Sequence, residues 1–202
     1  MSNNTATDIS QLYEVGNRRF FAAEILPNGT FGTKEYHEGL IEVNLEFTQE
    51  VTDINADDNP SFIQLASAVS GEGAIQFAVL PLSVYTKFFN ATRDRNNAVV
   101  ISGRATPPKR VAFGFYSQLG DGSTSMFTIN NASFSLPPLN TVSFDGETIR
   151  DLTLEVTIRP HTYRDAANRE QQVTYSILNS NTNSSIWDRV QDAIYIPDTE
   201  VA

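Results

Sequence analysis

The feature that most constrains this fold is a strict alternation of apolar and polar side chains in short segments. It is clearest in segments 40–48 and 151–159. Side chains of a β-strand point to opposite faces with a period of two, so each segment predicts a strand with one buried and one solvated face. The apolar members are Ile41, Val43, Leu45 and Phe47 in the first segment, and Leu152, Leu154, Val156 and Ile158 in the second.

Other short segments also predict strands, because they are rich in aromatic and β-branched residues and are bounded by turn residues. Gly120-Asp121-Gly122 predicts a hairpin turn between two of them. Segment 53–60 predicts an acidic, turn-rich loop, and the periodicity of 62–69 fits a helix or a strand. The further predicted strands are 19–25, 74–79, 98–102, 111–117, 125–129, 132–136, 142–144 and 172–178.

Two short helices are predicted. Pro81 opens the first at a position where its missing N–H costs nothing, and an apolar face follows in 82–89. Near the C-terminus, Ser185 with Asp188 resembles a capping box, and Pro197 would stop the helix. The apolar face of this second helix would consist of Ile186, Val190 and Ile194.

This order of elements predicts a mainly-β domain, a sandwich or barrel-like structure with one packed α-helix, a short C-terminal helix and extended arms. We expect a flexible N-terminal arm at 1–11, a β-rich domain at 12–178, and a polar linker with helix and tail at 179–202. An alternating β–α–β order, which would predict a nucleotide-binding enzyme fold, is not found.

The residues that enzymes use most often are scarce or scattered. The chain has no cysteine and only two histidines, His37 and His161, which predict surface or core positions. No phosphate-binding, zinc-protease or nucleophile-elbow motif occurs. The acids from Asp53 resemble the start of a calcium loop, but Asp58 stands where glycine is needed and Gln64 where glutamate is needed. We therefore expect no catalytic residue, metal or cofactor.

Charge is unevenly distributed along the chain. The formal net charge is −10, which argues against tight non-specific binding of nucleic acid. Segment 40–59 holds six acids and no base, whereas 93–110 holds five bases and one acid. Segment 1–11 lacks a basic leader, and no apolar run is long enough to cross a membrane, so we expect a chain made in a cytoplasm, with no membrane partner.

Three stretches resemble the major tail protein family of long, non-contractile phage tails. Segment 73–89 is similar to the family's strand that runs into a short helix, and 112–122 with 126–129 to its strand, turn and aromatic return strand. Segment 143–160 is similar to its closing strands, and the Ile186-Trp187 helix matches its C-terminal helix. The resemblance spans roughly 40–196 and rests on order and spacing.

The resemblance implies a structural protein without catalytic residues. Members form six-membered rings that stack into a tube, and each subunit gives strands to an inner β-barrel through which DNA passes during ejection. It implies partners such as other copies of the chain, tape measure, tail terminator and distal tail proteins. It also implies a place in the virion tail after assembly in the host bacterial cytoplasm.

Two sets of charged residues acquire hypothetical roles from this resemblance. Glu42, Glu46 and Glu155 either line a lumen, where carboxylates would repel phosphates, or face solvent on the outside. The acidic and basic stretches either meet between subunits or are both solvated. The residues of these stretches are Asp53, Asp57, Asp58, Arg93, Arg95, Arg104, Lys109 and Arg110.

Two alternatives to a tube subunit stay open. One is a carbohydrate- or receptor-binding β-sandwich of a phage adsorption apparatus, which would expose an aromatic or calcium site. The other is a tail-completion or capsid-decoration protein, which caps or coats a structure and does not polymerise.

Overall fold

The computed structural model describes residues 14–56, 59–80, 82–102, 107–137, 152–165 and 167–197, which form fourteen strands and two helices. The strands are β1 (Glu14–Glu24), β2 (Glu35–His37), β3 (Leu40–Thr48), β4 (Val51–Ala56), β5 (Asn59–Ala66), β6 (Ser70–Phe77), β7 (Thr92–Arg93), β8 (Val99–Val100), β9 (Val111–Leu119), β10 (Thr124–Phe134), β11 (Leu152–Ile158), β12 (His161–Arg164), β13 (Glu170–Val173) and β14 (Tyr175–Asn179). The helices are α1 (Leu82–Phe88) and α2 (Ser184–Asp192). The predicted mainly-β class is confirmed.

One antiparallel sheet of eight strands dominates, in the order β2-β1-β9-β10-β11-β6-β3, with β14 also paired to β10. Strand β10 pairs with two different strands along the same side. Its residues 125–129 pair with β14, and after a register shift between Ile129 and Ala132, its residues 132–134 pair with β11. Three further two-stranded sheets are β4–β5, β7–β8 and β12–β13.

The sheet curls over its apolar face. Phe20 on β1 and Phe77 on β6 lie 5.0 Å apart between ring centroids, although β9, β10 and β11 separate their strands in the sheet. Phe88 of α1 closes this core by stacking on Phe134 at 4.8 Å. Burying such aromatic rings supplies about 1.5–3 kcal/mol each, so this inner cluster carries much of the stability.

Helix α2 covers the opposite face of the same sheet. Its Val190 packs, together with Ile194, on the outward side chains of β1, β9, β10 and β14. These sheet residues are Phe21, Ala23, Ala112, Tyr116, Met126 and Leu178.

The largest error of the sequence analysis is the loop expected at 53–60. The structure forms a hairpin there, in which Asp53 on β4 pairs with Gln64 on β5. Segment 62–69, which was ambiguous, falls largely in β5 and is extended. Aspartate disfavours strands, but the backbone ladder between β4 and β5 outweighs that weak preference.

Several element bounds also differ from the predictions. Strand β1 begins at Glu14, five residues earlier than expected, because irregular pairing at Gly16 hides its period of two. The predicted strands 125–129 and 132–136 are one strand, the hairpin β12–β13 was missed, and 142–144 lies outside the described residues.

The capping box at Ser185 does not form. Helix α2 starts one residue earlier, and Asn183 precedes it without a side-chain cap. The Asn183 side chain instead accepts a hydrogen bond from the backbone N–H of Asn179 at 2.9 Å, which tightens the turn that enters the helix.

Candidate functional site: an acidic sheet face

Strands β3, β6 and β11 lie side by side and share one solvated face. Their alternate residues, such as Ile75 and Leu154, are fully buried in the inner cluster, so the intervening side chains must point outward. The outward set contains four exposed glutamates, and none of the three strands contributes a lysine or arginine to it. They are Glu42 and Glu46 on β3, Glu72 on β6 and Glu155 on β11.

The register fixes how these carboxylates are arranged. Glu46 stands directly opposite Glu72, and Glu155 stands opposite Ala74, which in turn faces Asn44. Directly opposed residues of an antiparallel pair have Cβ atoms about 4.5–5.5 Å apart. Small side chains at the centre leave a shallow depression of about 410 Å³ between the acids.

This arrangement works against the stability of the isolated chain. Like charges directly opposite each other destabilise a sheet by about 0.2–1 kcal/mol. The ion pairs found among the described residues lie elsewhere, and none of them neutralises a glutamate of this face. They join Lys87 to Glu35, Lys109 to Glu24 at 3.0 Å, and Arg169 to Asp165 at 2.8 Å.

The structure brings together all three glutamates that the sequence analysis singled out. Glu42, Glu46 and Glu155 are far apart in the sequence but lie on one face of three adjacent strands. Glu72 was missed, because the strand was expected to begin at Ala74. In a strand, every second side chain points to the same face. Continuing this alternation from Gln76 and Ala74 back to position 72 could have identified Glu72.

The face ends at an edge strand. Strand β3 is last in the order of the main sheet, so among the described residues one side of its backbone has no partner strand. Ile41 lies at a register shift of this strand and is exposed. A long edge of this kind is a template for pairing with another chain.

The predicted acidic contact residues lie on the hairpin that extends from β3. Asp53 is exposed on β4, and Asp57 and Asp58 lie outside the described residues. The hairpin is anchored at its base, where Ser67 donates its backbone N–H to the carbonyl of Glu50 at 2.7 Å. Strands β4 and β5 pair only with each other in the described sheets, and we call them the β4–β5 arm.

The predicted basic contact residues are divided by the structure. Arg93 and Arg95 are exposed at the β7–β8 hairpin, and Arg110 is exposed before β9. Lys109 already forms its ion pair with a glutamate of the same chain. Arg104 lies outside the described residues.

Both histidines are buried beside aromatic rings. His37 lies between Phe20 and Phe88, with ring centroids 6.1 and 6.2 Å away, and burial lowers its pKa. His161 lies 4.8 Å from the ring of Phe31, and burial lowers its pKa as well. These are core positions, in agreement with one of the two expected environments.

The described residues offer no arrangement typical of a metal centre or of a membrane-spanning helix. They contain no group of three or more His, Cys, Asp or Glu side chains placed to hold a metal ion. Within the same described ranges, neither helix has the length and apolar content needed to span a bilayer.

No family model matches the chain, and no curated protein matches it. Solved structures similar to it include two chains of the anti-feeding prophage. A chain of the anti-feeding prophage baseplate has 13% sequence identity and a TM-score of 0.39, with 88% of this chain and 97% of that chain covered. A chain of the anti-feeding prophage tube-terminating cap has 11% identity and a TM-score of 0.38, with 88% and 99% covered. Likenesses of this strength carry no argument about function.

Proposed function

We propose that this chain is the structural subunit of a phage tail tube, assembling into stacked, six-membered rings whose lumen conducts DNA during genome ejection. The observation that carries this proposal is the acidic face of β3, β6 and β11. It is a solvated sheet face with four carboxylates, and it ends at a long edge strand.

An acidic face suits the wall of a channel for DNA. Carboxylates repel phosphates and so prevent DNA from adhering during passage. Screening limits this repulsion to about 8 Å at physiological salt, so the acids must lie in a narrow bore to act. Glu46 and Glu72 stand opposite each other and destabilise the free chain. On the wall of a bore, the same two carboxylates would help to repel the phosphates of DNA.

The free edge and the projecting arm suit open assembly. Contacts between neighbours in a ring or a stack use two different patches of the same subunit. Strand β3 offers backbone groups to a neighbour, and the β4–β5 arm offers Asp53 to the exposed Arg93 and Arg95 of another copy. In this proposal Lys109 does not contact a neighbour, because it forms an ion pair with Glu24 of its own subunit.

The proposal includes the partners and the location that the resemblance to major tail proteins implies. The subunit would contact other copies of itself and the tape measure, tail terminator and distal tail proteins. It would be assembled in the host bacterial cytoplasm and act in the virion tail, with DNA passing without tight binding.

Assembly can be tested by negative-stain electron microscopy of the purified protein across a concentration series, beside light scattering. We expect rings or hollow tubes of uniform width. A strict monomer at every concentration, also after addition of tail-tip complexes that initiate tubes, contradicts the proposal.

The lumenal position can be tested with Glu42→Lys and Glu46→Lys together, introduced into phage particles. We expect tubes to assemble and DNA release to slow, because the bore would attract phosphates. The matched control is Glu170→Lys on β13 with Asp188→Lys on α2, two exposed acids that do not belong to β3, β6 or β11. Equal release rates for the two variants count against a lumenal position.

The carbohydrate-binding alternative needs a pocket that offers hydrogen bonds to a sugar. A groove between β3 and β14 exposes the aromatic rings of Phe47 and Tyr175, and its lining includes the polar residues Thr128 and Ser176. Among the described residues, no three or more His, Cys, Asp or Glu side chains cluster to hold a metal ion. We prefer the tube subunit because of the acidic face and the edge strand, and a ligand-dependent thermal shift on a panel of glycans would favour the alternative.

A further inference from the structure

The buried histidine His37 lies where β1, β2 and α1 meet. It pairs with Phe20 in the β1–β2 ladder, and its ring lies between those of Phe20 and Phe88. The side chain is 7% exposed, and among the described residues its buried Nε2 atom has no hydrogen-bond partner. An imidazolium donates from both ring nitrogens and carries a charge, so this site suits only the neutral ring.

A single carboxylate stands between two basic side chains at this junction. Glu35 lies two residues before His37 on β2, so both side chains point to the same face, about 6.6 Å apart along the strand. Glu35 also forms an ion pair with Lys87, which precedes Phe88 in α1. While His37 is neutral, this carboxylate therefore ties α1 to β2.

The charges that face His37 come from β2 and α1. Burial lowers the pKa of His37 below its ordinary value of 6.5, Glu35 opposes this shift and Lys87 adds to it. On β1, Glu24 lines the same small pocket as Glu35 and Lys87, but its carboxylate already pairs with Lys109. Proton uptake by His37 therefore favours any rearrangement that returns its ring to water.

Helix α1 is the element that such a rearrangement would move. Strand β2 is held to β1 by three residue pairs, whereas α1 has seven residues and packs on the core through Val84 and Phe88. An isolated helix of this length is not stable in water, so α1 depends on its contacts with the sheet.

We propose that Glu35, His37 and Lys87 form an acid-operated latch, which holds α1 on the sheet at neutral pH and releases it in acid. When His37 takes up a proton, Glu35 turns to the imidazolium, and Lys87 loses its partner and faces a second positive charge. The aromatic core then opens where Phe88 stacks on Phe134. This inference does not depend on the tube proposal, because it concerns one chain before any assembly.

A single thiol on α1 follows the latch, because the chain has no cysteine of its own. In a Val84→Cys variant, the buried thiol is treated with a dithiodipyridine reagent, which also attacks thiols in acid. Relative to a free peptide thiol, we expect its reaction rate to rise by up to about tenfold per pH unit from pH 6.5 to 5, since one proton is taken up on opening. Met126→Cys, buried beneath α2, reports unfolding of the whole chain and should stay protected. No rise at Val84→Cys, or an equal rise at both thiols, overturns the proposal.

Substitutions at the latch identify the group that takes up the proton. In the Val84→Cys background, His37→Phe keeps an aromatic ring in place and should abolish the dependence on pH. The matched control, His161→Phe, removes the other buried histidine, beside Phe31, and should keep it. A response that survives His37→Phe, or disappears in His161→Phe, contradicts the latch.

The carboxylate is tested separately, in a variant that leaves His37 unchanged. Glu35→Gln removes the ion pair with Lys87, so the Val84→Cys thiol should react several-fold faster already at pH 7.5. Glu38→Gln, an exposed glutamate next to His37, is the matched control and should not change the rate. Equal rates for the two variants would show that Glu35 does not hold α1.

Discussion

At the scale of single residues, Gly114 shows how tightly β9 is packed. A Cβ atom added there would lie 2.1 Å from the carbonyl oxygen of Phe127 and 2.4 Å from the ring of Phe21. Both neighbours are held inside the sheet, so neither can move away without loss of packing. The position requires glycine because of close approach, and not because of a turn.

We predict that Gly114→Ala destabilises the protein by about 1–3 kcal/mol or more, the range typical of overpacked cores. The control is Gly32→Ala, where the added atom would meet its nearest neighbour at 3.4 Å. Urea unfolding followed by circular dichroism measures both. A loss for Gly114→Ala no larger than that for Gly32→Ala contradicts the described packing.

Lys34 is a buried cation that holds α2 to the sheet. It is 7% exposed, and its ammonium donates to the carbonyl oxygen of Val190 at 2.8 Å and lies 3.8 Å from the ring centroid of Phe21. Burial lowers its pKa to about 8, and Asp192 offsets this in part. Because the unfolded chain keeps the ordinary value near 10.5, it binds more protons than the folded chain between these two values.

Stability should therefore rise with pH from about 8 towards 10 relative to a Lys34→Met variant, by on the order of 2 kcal/mol, since one pKa unit is worth about 1.4 kcal/mol. Burial also raises the pKa of Tyr116, whose ring faces the ammonium, above its ordinary value of 10.0, and this tyrosine lowers the stability as pH rises through that value. The effect is common to both proteins and cancels in the comparison. Chemical denaturation at pH 7.5 and 10 measures the difference. Parallel pH curves for the two proteins would show that the lysine is not buried as a cation.

At the scale of elements, the acidic face combines a well-defined sheet with an unfavourable charge pair. We predict that Glu72→Gln stabilises the free protein by about 0.2–1 kcal/mol at low salt, because it removes the repulsion with Glu46. The gain should fade at high salt, where the charges are screened. Thermal unfolding at two salt concentrations tests this, with Glu38→Gln as the exposed control. A loss of stability for Glu72→Gln would show that the pair is not repulsive.

The β4–β5 arm gives a prediction about association. Arg93→Glu with Arg95→Glu should weaken assembly at low salt, because the arm of a neighbour would meet like charge. Adding Asp53→Lys should restore part of it. Arg164→Glu with Arg189→Glu, two exposed arginines elsewhere, is the matched control for net charge. Light scattering follows assembly, and equal effects of both arginine pairs would contradict a specific contact.

Strands in which apolar and polar side chains alternate regularly were predicted from the sequence. Strands without this alternation were not. The alternation in 40–48 and 151–159 identified β3 and β11 and the direction of their glutamates. The β4–β5 arm was missed because its strands depend on pairing with each other, which outweighs the turn-forming character of its aspartates. Glu72 was missed because glycines on either side hide the period of β6.

At the scale of the whole molecule, the curled sheet separates three surfaces. Helix α2 covers one, the inner face holds the aromatic core and the open groove, and the outer side of β3, β6 and β11 is acidic. The sequence predicted the class of fold and three of the four acids, but the curl brings β1 and β6 together through contacts that no local pattern encodes. A subunit with an acidic wall and a free edge suits the proposed tube.

The most direct test of this account is a cryo-electron microscopy map of tubes or virion tails that contain this chain, at a resolution that traces the strands. The account predicts that β3, β6 and β11 line the bore, with Glu42, Glu46, Glu72 and Glu155 pointing into it. A map in which this face points outward, or lies buried between stacked rings, would contradict it.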